Sequence, residues 1–256
     1  MSLTPDLIAA LTAVDTPTIC NALEVAAPGR HATGFNREAL TCPFPTMKPV
    51  VGHARTAMIR SREARPASDA DKIALRLAYY EYIERGPRPS LAIIQDIDGA
   101  ERGLGAFWGE VQSTVHQALD CAGVVTDGSI RDLDMWAKGF FALAGSVMPS
   151  HVHADLVDID RPVTVAGMLV SPGDIVHADR HGAVVIPAEV VADIPRICDL
   201  LARKEKVILD AARKPGFSTA DIRAAFATMK DIQPSPARSA AMPSPRAPCR
   251  SPTSLP

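Results

Sequence analysis

Charge of one sign is nowhere concentrated in this chain of 256 residues, in which 27 Lys and Arg stand against 29 Asp and Glu for a formal net charge of −2. With both signs spread along the sequence there is no polycationic face, so neither nucleic acid nor an anionic membrane surface is the expected partner. No apolar run approaches the ~18 uncharged residues of a membrane span, and "MSLTPDLIAAL" lacks the basic and apolar regions of a signal peptide. A cytoplasmic location is the expectation. The five cysteines (Cys20, Cys42, Cys121, Cys198, Cys249) are odd in number, widely spaced and form no CxxC pair, which argues against a disulfide framework or a zinc site. There is no GxSxG elbow and no cysteine in an activating context, so covalent nucleophilic catalysis has no support.

What is present is a chain that is 47% hydrophobic, enough to bury a full core. Residues 4–24 predict two helices broken at Asp15–Pro17, with Asp15 or Thr16 as cap. Residues 28–50 lack periodicity and predict a loop. "VGHARTAMIR" (51–60) predicts a strand, residues 69–85 a helix, and "SLAIIQDIDG" (90–99) a short buried strand ending in an acidic turn. The glycine-rich "GLGAFWG" (103–109) predicts a loop. It leads into a helix over 110–123, closed by Gly123 as C-cap, and then into the strand "VVTDG". Short β-rich runs follow in "FALAGSVMPS", "VTVAGMLVSPGDIVHAD" and "GAVVIP", then a long helical stretch over 187–214. The last helix opens on a Ser218-x-x-Asp221 capping box. No internal repeat occurs. Composition turns rich in Pro, Ser, Ala and Arg from Gln233. The expectation is one α/β domain over residues 1–230 and a disordered tail over 231–256.

Two strands run apolar into Asp-Gly turns, and in α/β proteins ligands bind at the carboxyl ends of strands. Asp96, Asp98, Asp127 and Asp132 could therefore converge on one mouth, although Asp98 and Asp127, taken alone, read more readily as makers of tight turns. Arg131 and Asp132 lie beyond the turn. An adjacent Arg-Asp pair sets a bidentate donor beside a hard oxygen ligand, suited to an anionic substrate and a Mg²⁺ or Mn²⁺ ion, and a salt bridge is the plainer alternative. The helix beginning near Gly109 points free N–H groups and a positive dipole end at the same place. Together these describe a pocket for a 2-oxo acid, whose enolate a metal could stabilise.

Other patterns carry less. "GLGAFWG" is GxGxxxG rather than the dinucleotide fingerprint, and "DIDGAERGLGAFWGE" places its glycine two positions early for an EF-hand. His151-x-His153 would set two imidazoles on one face of a strand, and His177 and His181 are four apart. Without a third spaced ligand, hydrogen-bonded or solvent-facing histidines are the expectation.

"GAFWGEVQST" followed by "AGVVTDGSIRD" resembles the G-[ED]-x-x-[AS]-T and G-x-V-x-D-G-x-x-R-D motifs of the RraA-like family. That family holds 4-hydroxy-4-methyl-2-oxoglutarate aldolases with associated oxaloacetate decarboxylase activity, and regulators of ribonuclease E. "PVTVAGMLVSPGDIVHADRHGAVVIP" and "DTPTICNALE" are similar to further family segments, so the resemblance spans residues 10–225. It implies an α/β/β/α sandwich of the swivelling phosphohistidine-domain type, assembled as homotrimers or homohexamers. It also implies backbone amides of Gly109, Glu110, Val111 and Gln112 against a pyruvate unit, Arg131 as a substrate ligand, and Asp132 as the ligand of Mg²⁺ or Mn²⁺. The implied activity is carbon–carbon cleavage or decarboxylation of a 4-substituted 2-oxo acid to pyruvate. A non-catalytic regulator that binds a ribonuclease is the alternative. The family's old dimethylmenaquinone methyltransferase label finds no glycine-rich strand-turn suited to S-adenosylmethionine. Departures are Asn21 where many members have Asp, and Arg180 and His181 where acidic residues are common. Both bear on the distal part of the substrate.

Overall fold

The computed structural model describes residues 3–235; residues 236–256, most of the expected tail, lie outside the described residues. Helices α1 (Pro5–Thr12) and α2 (Thr16–Ala26) open the chain, each with proline in its first turn. The Asp15 side chain accepts from the Thr18 amide and caps α2, one of the two caps the sequence allowed. Strand β1 (Val50–Arg60), helix α3 (Asp69–Glu84) and strand β2 (Ser90–Asp96) form the first strand–helix–strand unit. Strand β3 (Ala106–Trp108), helix α4 (Glu110–Ala118) and strand β4 (Cys121–Thr126) form the second.

Short strands then follow: β5 (Ser129–Ile130), β6 (Phe141–Leu143), β7 (Ser146–Val147), β8 (Asp155–Ile159), β9 (Val163–Val165), β10 (Met168–Val170), β11 (Ile175–Asp179) and β12 (Gly182–Ile186). Helices α5 (Ile194–Ala212) and α6 (Thr219–Lys230) complete the fold, and both halves of the Ser218/Asp221 capping box are made.

The main sheet runs β12-β11-β1-β2-β4-β6, with β8 also on β1. Its β1-β2-β4-β6 part is parallel. That explains why β2 reads as an unbroken apolar run: a parallel strand is covered on both faces. A second, small parallel sheet, β3-β5-β7, carries the ends that matter for function. The core divides into three buried clusters. The one under the small sheet holds most of the chain's few aromatics, Trp108, Tyr79, Phe140 and Trp136 among them. Among the described residues no helix is long and apolar enough to cross a membrane.

Four expectations need correction. Gly123 is no helix C-cap: α4 ends at Ala118, and Gly123 lies inside β4 paired with Phe141 of β6, where a Cβ would sit 2.6 Å from that residue's own Cβ. "GLGAFWG" is not all loop, because Ala106–Trp108 pairs with β5. The long helix starts at Ile194, not at 187, after a segment of turns.

The fourth concerns the Asp-Gly turns, whose aspartates do more than turn the chain. Asp127 is buried and accepts from the amides of Asp96 (2.8 Å) and Ala166 (3.3 Å). Asp96 accepts from Asp98 and Gly103. Asp98 accepts from the amides of Ser61 (2.6 Å) and Arg62 (2.8 Å). Burial raises the pKa of Asp96 and Asp127 against the pull of these amides. At Asp98 burial also raises the pKa, but the donors from Ser61 and Arg62 outweigh it and the net shift is downward.

Removing a carboxylate that serves two amides from separate segments leaves both unpaired. We expect Asp127→Ala to lower unfolding free energy by about 2–5 kcal/mol, read as a fall in the urea midpoint.

Candidate functional site

The two sequence motifs meet because β3 and β5 lie side by side in parallel, Ala106 opposite Ser129 and Trp108 opposite Ile130. Both strands leave at the same edge, one into α4 and the other into Arg131–Asp132, and the Arg131 amide donates to the Trp108 carbonyl at 2.9 Å. Asp132 then takes a left-handed conformation, φ 57° and ψ 41°, which aspartate tolerates better than most residues. This turns its carboxylate back toward the start of α4. Oδ2 accepts from the Glu110 amide (3.3 Å) and faces Arg131 Nε at 3.5 Å. Gly109 leaves room for that contact: a Cβ there would overlap Asp132 Oδ2 and crowd Arg131 Cγ.

Gly109 gives α4 no side-chain cap. The Glu110 amide is committed to Asp132, while among the described residues no group accepts from the amides of Val111 and Gln112. Two donors and the positive helix end therefore remain for an anion. Gln112 is buried and its Oε1 accepts from Tyr80 Oη at 3.1 Å, which fixes the orientation of its side-chain amide.

These groups line one open cleft of about 290 Å³. Gly109, Val111, Gln112, Arg131 and Asp132, all expected from the sequence, border it; Glu110, expected with them, is exposed, stands outside the lining and spends its amide on Asp132. The other aspartates do not converge there, since Asp96, Asp98 and Asp127 are spent on backbone amides. Asp134 is exposed beyond the cleft lining.

Arg76 of α3 escaped the sequence reading, and His151 and His153, expected to be hydrogen-bonded or solvent-facing, also line the cleft. Arg76 lies over the Phe107 ring, 5.9 Å from its centroid. Its place four residues before Tyr80, on the same face of α3, was the available signal. His151 and His153 belong to a turn rather than a strand face. His177, by contrast, is a buried hydrogen-bonded histidine, as expected, between Thr16 Oγ1 and the Leu11 carbonyl. Asn21 stands on α2, and Arg180 and His181 in the turn between β11 and β12. None of the three lines the cleft.

Behind the cleft, His116 supports the first turn of α4. Its Nδ1 bonds the Gln112 carbonyl at 2.7 Å, so Nδ1 carries the proton and Nε2 accepts from Tyr79 Oη at 3.0 Å. The ring packs on Trp108, centroids 4.5 Å apart. Burial holds its pKa down at about 4.

The profile of the RraA-like family (Aldolase/RraA) matches residues 16–185. The chain belongs to the RraA-like family. A protein of Halalkalibacterium halodurans named "Putative 4-hydroxy-4-methyl-2-oxoglutarate aldolase" is 28% identical over 190 residues, 71% of this chain and 80% of that protein. An uncharacterized protein of Methanocaldococcus jannaschii is 30% identical over 124 residues, 45% of this chain and 57% of its own length. The match thus spans little more than half of that relative.

Among solved structures, an uncharacterized protein from Pseudomonas syringae superposes with a TM-score of 0.67 at 21% identity, covering 89% of this chain and 96% of that one. Streptomyces coelicolor RraAS2, described as an unusual member of the RNase ES inhibitor RraA family, gives 0.61 at 22% identity over 84% and 99%. These likenesses establish an RraA-like mixed α/β fold.

The state of His116 has a consequence for stability. An unfolded histidine titrates near 6.5 and the folded one at about 4, so between those values the unfolded chain binds a proton that the folded chain does not. Stability from this group is full above pH 6.5 and is lost as pH falls toward 4, by roughly 3 kcal/mol at most. Urea unfolding across that window should show the loss, and His116→Gln should flatten it.

Proposed function

We propose that the protein is a divalent-metal-dependent lyase that cleaves or decarboxylates a 4-substituted 2-oxo acid to pyruvate. The observation that carries this reading is the convergence of an uncapped helix start, Arg131 and Asp132 on one cleft, with Gly109 admitting the Asp132 carboxylate. The name of the H. halodurans relative supports the same substrate class.

The donor set suits a hard cation held mainly by water and substrate. Asp132 Oδ2 serves Glu110 and Arg131, whereas Oδ1 accepts from no described residue. Among the described residues no group of three or more His, Cys, Asp and Glu side chains is placed to hold an ion, and Asp132 would hold it together with water and substrate. Bound there, Mg²⁺ or Mn²⁺ would supply a Lewis acid for the enolate. The amides of Val111 and Gln112 bind the substrate carboxylate, Arg131 orients the pyruvoyl end and offsets its charge, and Tyr80 keeps the Gln112 amide aimed. Because these donors are fixed before substrate arrives, little reorganisation accompanies charge development.

The proposal extends to assembly as a homotrimer or homohexamer, which light scattering would resolve. The alternative, a non-catalytic binder of a ribonuclease, draws on no feature of the cleft, and the likeness to RraAS2 is one of fold.

Pyruvate release from oxaloacetate and from 4-hydroxy-4-methyl-2-oxoglutarate tests the reading. With Mn²⁺ present, Arg131→Ala and Asp132→Ala should each lose about 10²-fold or more in kcat/KM if electrostatic stabilisation dominates, and EDTA should abolish turnover. Equal rates in all these conditions would sink the lyase reading. Gly109→Ala should lose activity on a similar scale with little change in melting temperature, since its φ of −167° is open to any residue and the added methyl strikes Asp132.

A further inference from the structure

Proton transfer in such a reaction needs a group in the cleft that can be neutral in one step and protonated in the next. A guanidinium donates and cannot accept a proton, and Asp132 serves the Glu110 amide and Arg131 through Oδ2 and, in the reading above, the cation through Oδ1. That leaves the two imidazoles, His151 and His153. They are not equivalent. His151 Nδ1 lies 2.7 Å from the Val152 carbonyl, which can only accept, so Nδ1 carries the hydrogen and Nε2 keeps its lone pair,. Among the described residues the His153 ring makes no hydrogen bond that would select a tautomer.

The turn that presents His151 is held rather than loose. Val152 and Ala154 have φ of 46° and 35°, a region costly for a β-branched residue. The turn is tied at both ends: the Ala106 amide donates to the Ser150 carbonyl at 2.9 Å, and the His153 amide to the Ser61 carbonyl at 3.2 Å. It rests on Gly105, where a Cβ would lie 2.6 Å from the His151 carbonyl oxygen. Just beyond it, Asp155 is anchored by Lys72 Nζ (2.9 Å) and the Arg65 amide (2.8 Å). Strained backbone maintained by this many constraints, at the rim of a cleft, is the usual setting of a group placed for function.

We propose that His151 is the acid–base residue of the retro-aldol reaction; the inference rests on the lyase reading above. Nε2 takes the proton of the substrate's 4-hydroxyl. The O–H electron pair forms the new C4 carbonyl, the C3–C4 bond breaks, and its pair passes into the enolate of pyruvate. The His151 imidazolium then returns the proton to C3. Atoms and charge balance with no added reactant, and the ring ends neutral. Decarboxylation of oxaloacetate differs in one respect: its substrate has no hydroxyl proton to remove, and water can protonate the enolate.

The two substrates therefore separate His151 from the rest of the site. In His151→Gln and His151→Ala, cleavage of 4-hydroxy-4-methyl-2-oxoglutarate should fall about 10²-fold in kcat with KM little changed. Oxaloacetate decarboxylation should fall much less than cleavage, and an unchanged melting temperature should report an intact fold. Added imidazole should restore part of the cleavage lost in His151→Ala. Unchanged cleavage, or equal loss of both activities without imidazole rescue, overturns the role of His151 while leaving the lyase reading standing. No pyruvate from either substrate with the wild-type protein overturns both.

Discussion

The candidate site depends on the parallel pairing of two very short strands. Ala106–Trp108 and Ser129–Ile130 are too short to persist alone. Their side chains are almost completely buried, and Trp108 and Ile130 sit in the aromatic-rich cluster shared with Tyr79 and Phe140. Pairing sets Gly109 beside Asp132, although 23 positions separate them in the chain. The register also shifts between Ala106 and Trp108, and such an irregularity re-aims the residues that follow a strand. A slip would separate the helix start from Arg131 and Asp132 and dismantle the anion and cation subsites together.

Around this junction the protein divides its ionisable groups by depth. The carboxylates of Asp96 and Asp127 are buried and satisfied by backbone amides, which keeps a buried charge tolerable and joins segments distant in sequence. Asp132 stands at the surface, where hydration makes its charge cheap and a ligand can reach it. The histidines divide in the same way. His116 and His151 each direct Nδ1 to a backbone carbonyl. In the core, His116 uses Nε2 to accept from Tyr79, whereas Nε2 of exposed His151, at the cleft, has no hydrogen-bond partner among the described residues.

Much of the architecture was legible from local patterns. The strand over β1, the helix α3, the cap at Asp15 and the Ser218 capping box follow from alternation, periodicity and short-range hydrogen bonding, all encoded within a few residues. β3 was hidden because three residues inside a glycine-rich stretch carry no measurable period. Gly123 looked like a helix end because glycine is permissive, while its actual reason is the close approach of Phe141 from another strand. The Asp-Gly turns concealed the partners of their carboxylates, which come from Ser61, Gly103 and Ala166.

The sequence alone determined the α/β class, the family motifs and the candidate residues at the helix start and at Arg131–Asp132, because each is a local arrangement of residue types, whereas their meeting needs the β3–β5 pairing. Tertiary structure decided which aspartates remain available to a ligand, since that depends on amides delivered from distant loops. It also decided that Arg76, His151 and His153 share the cleft with Asp132, because only the packing of α3 and of the 150–154 turn against β3 brings them there.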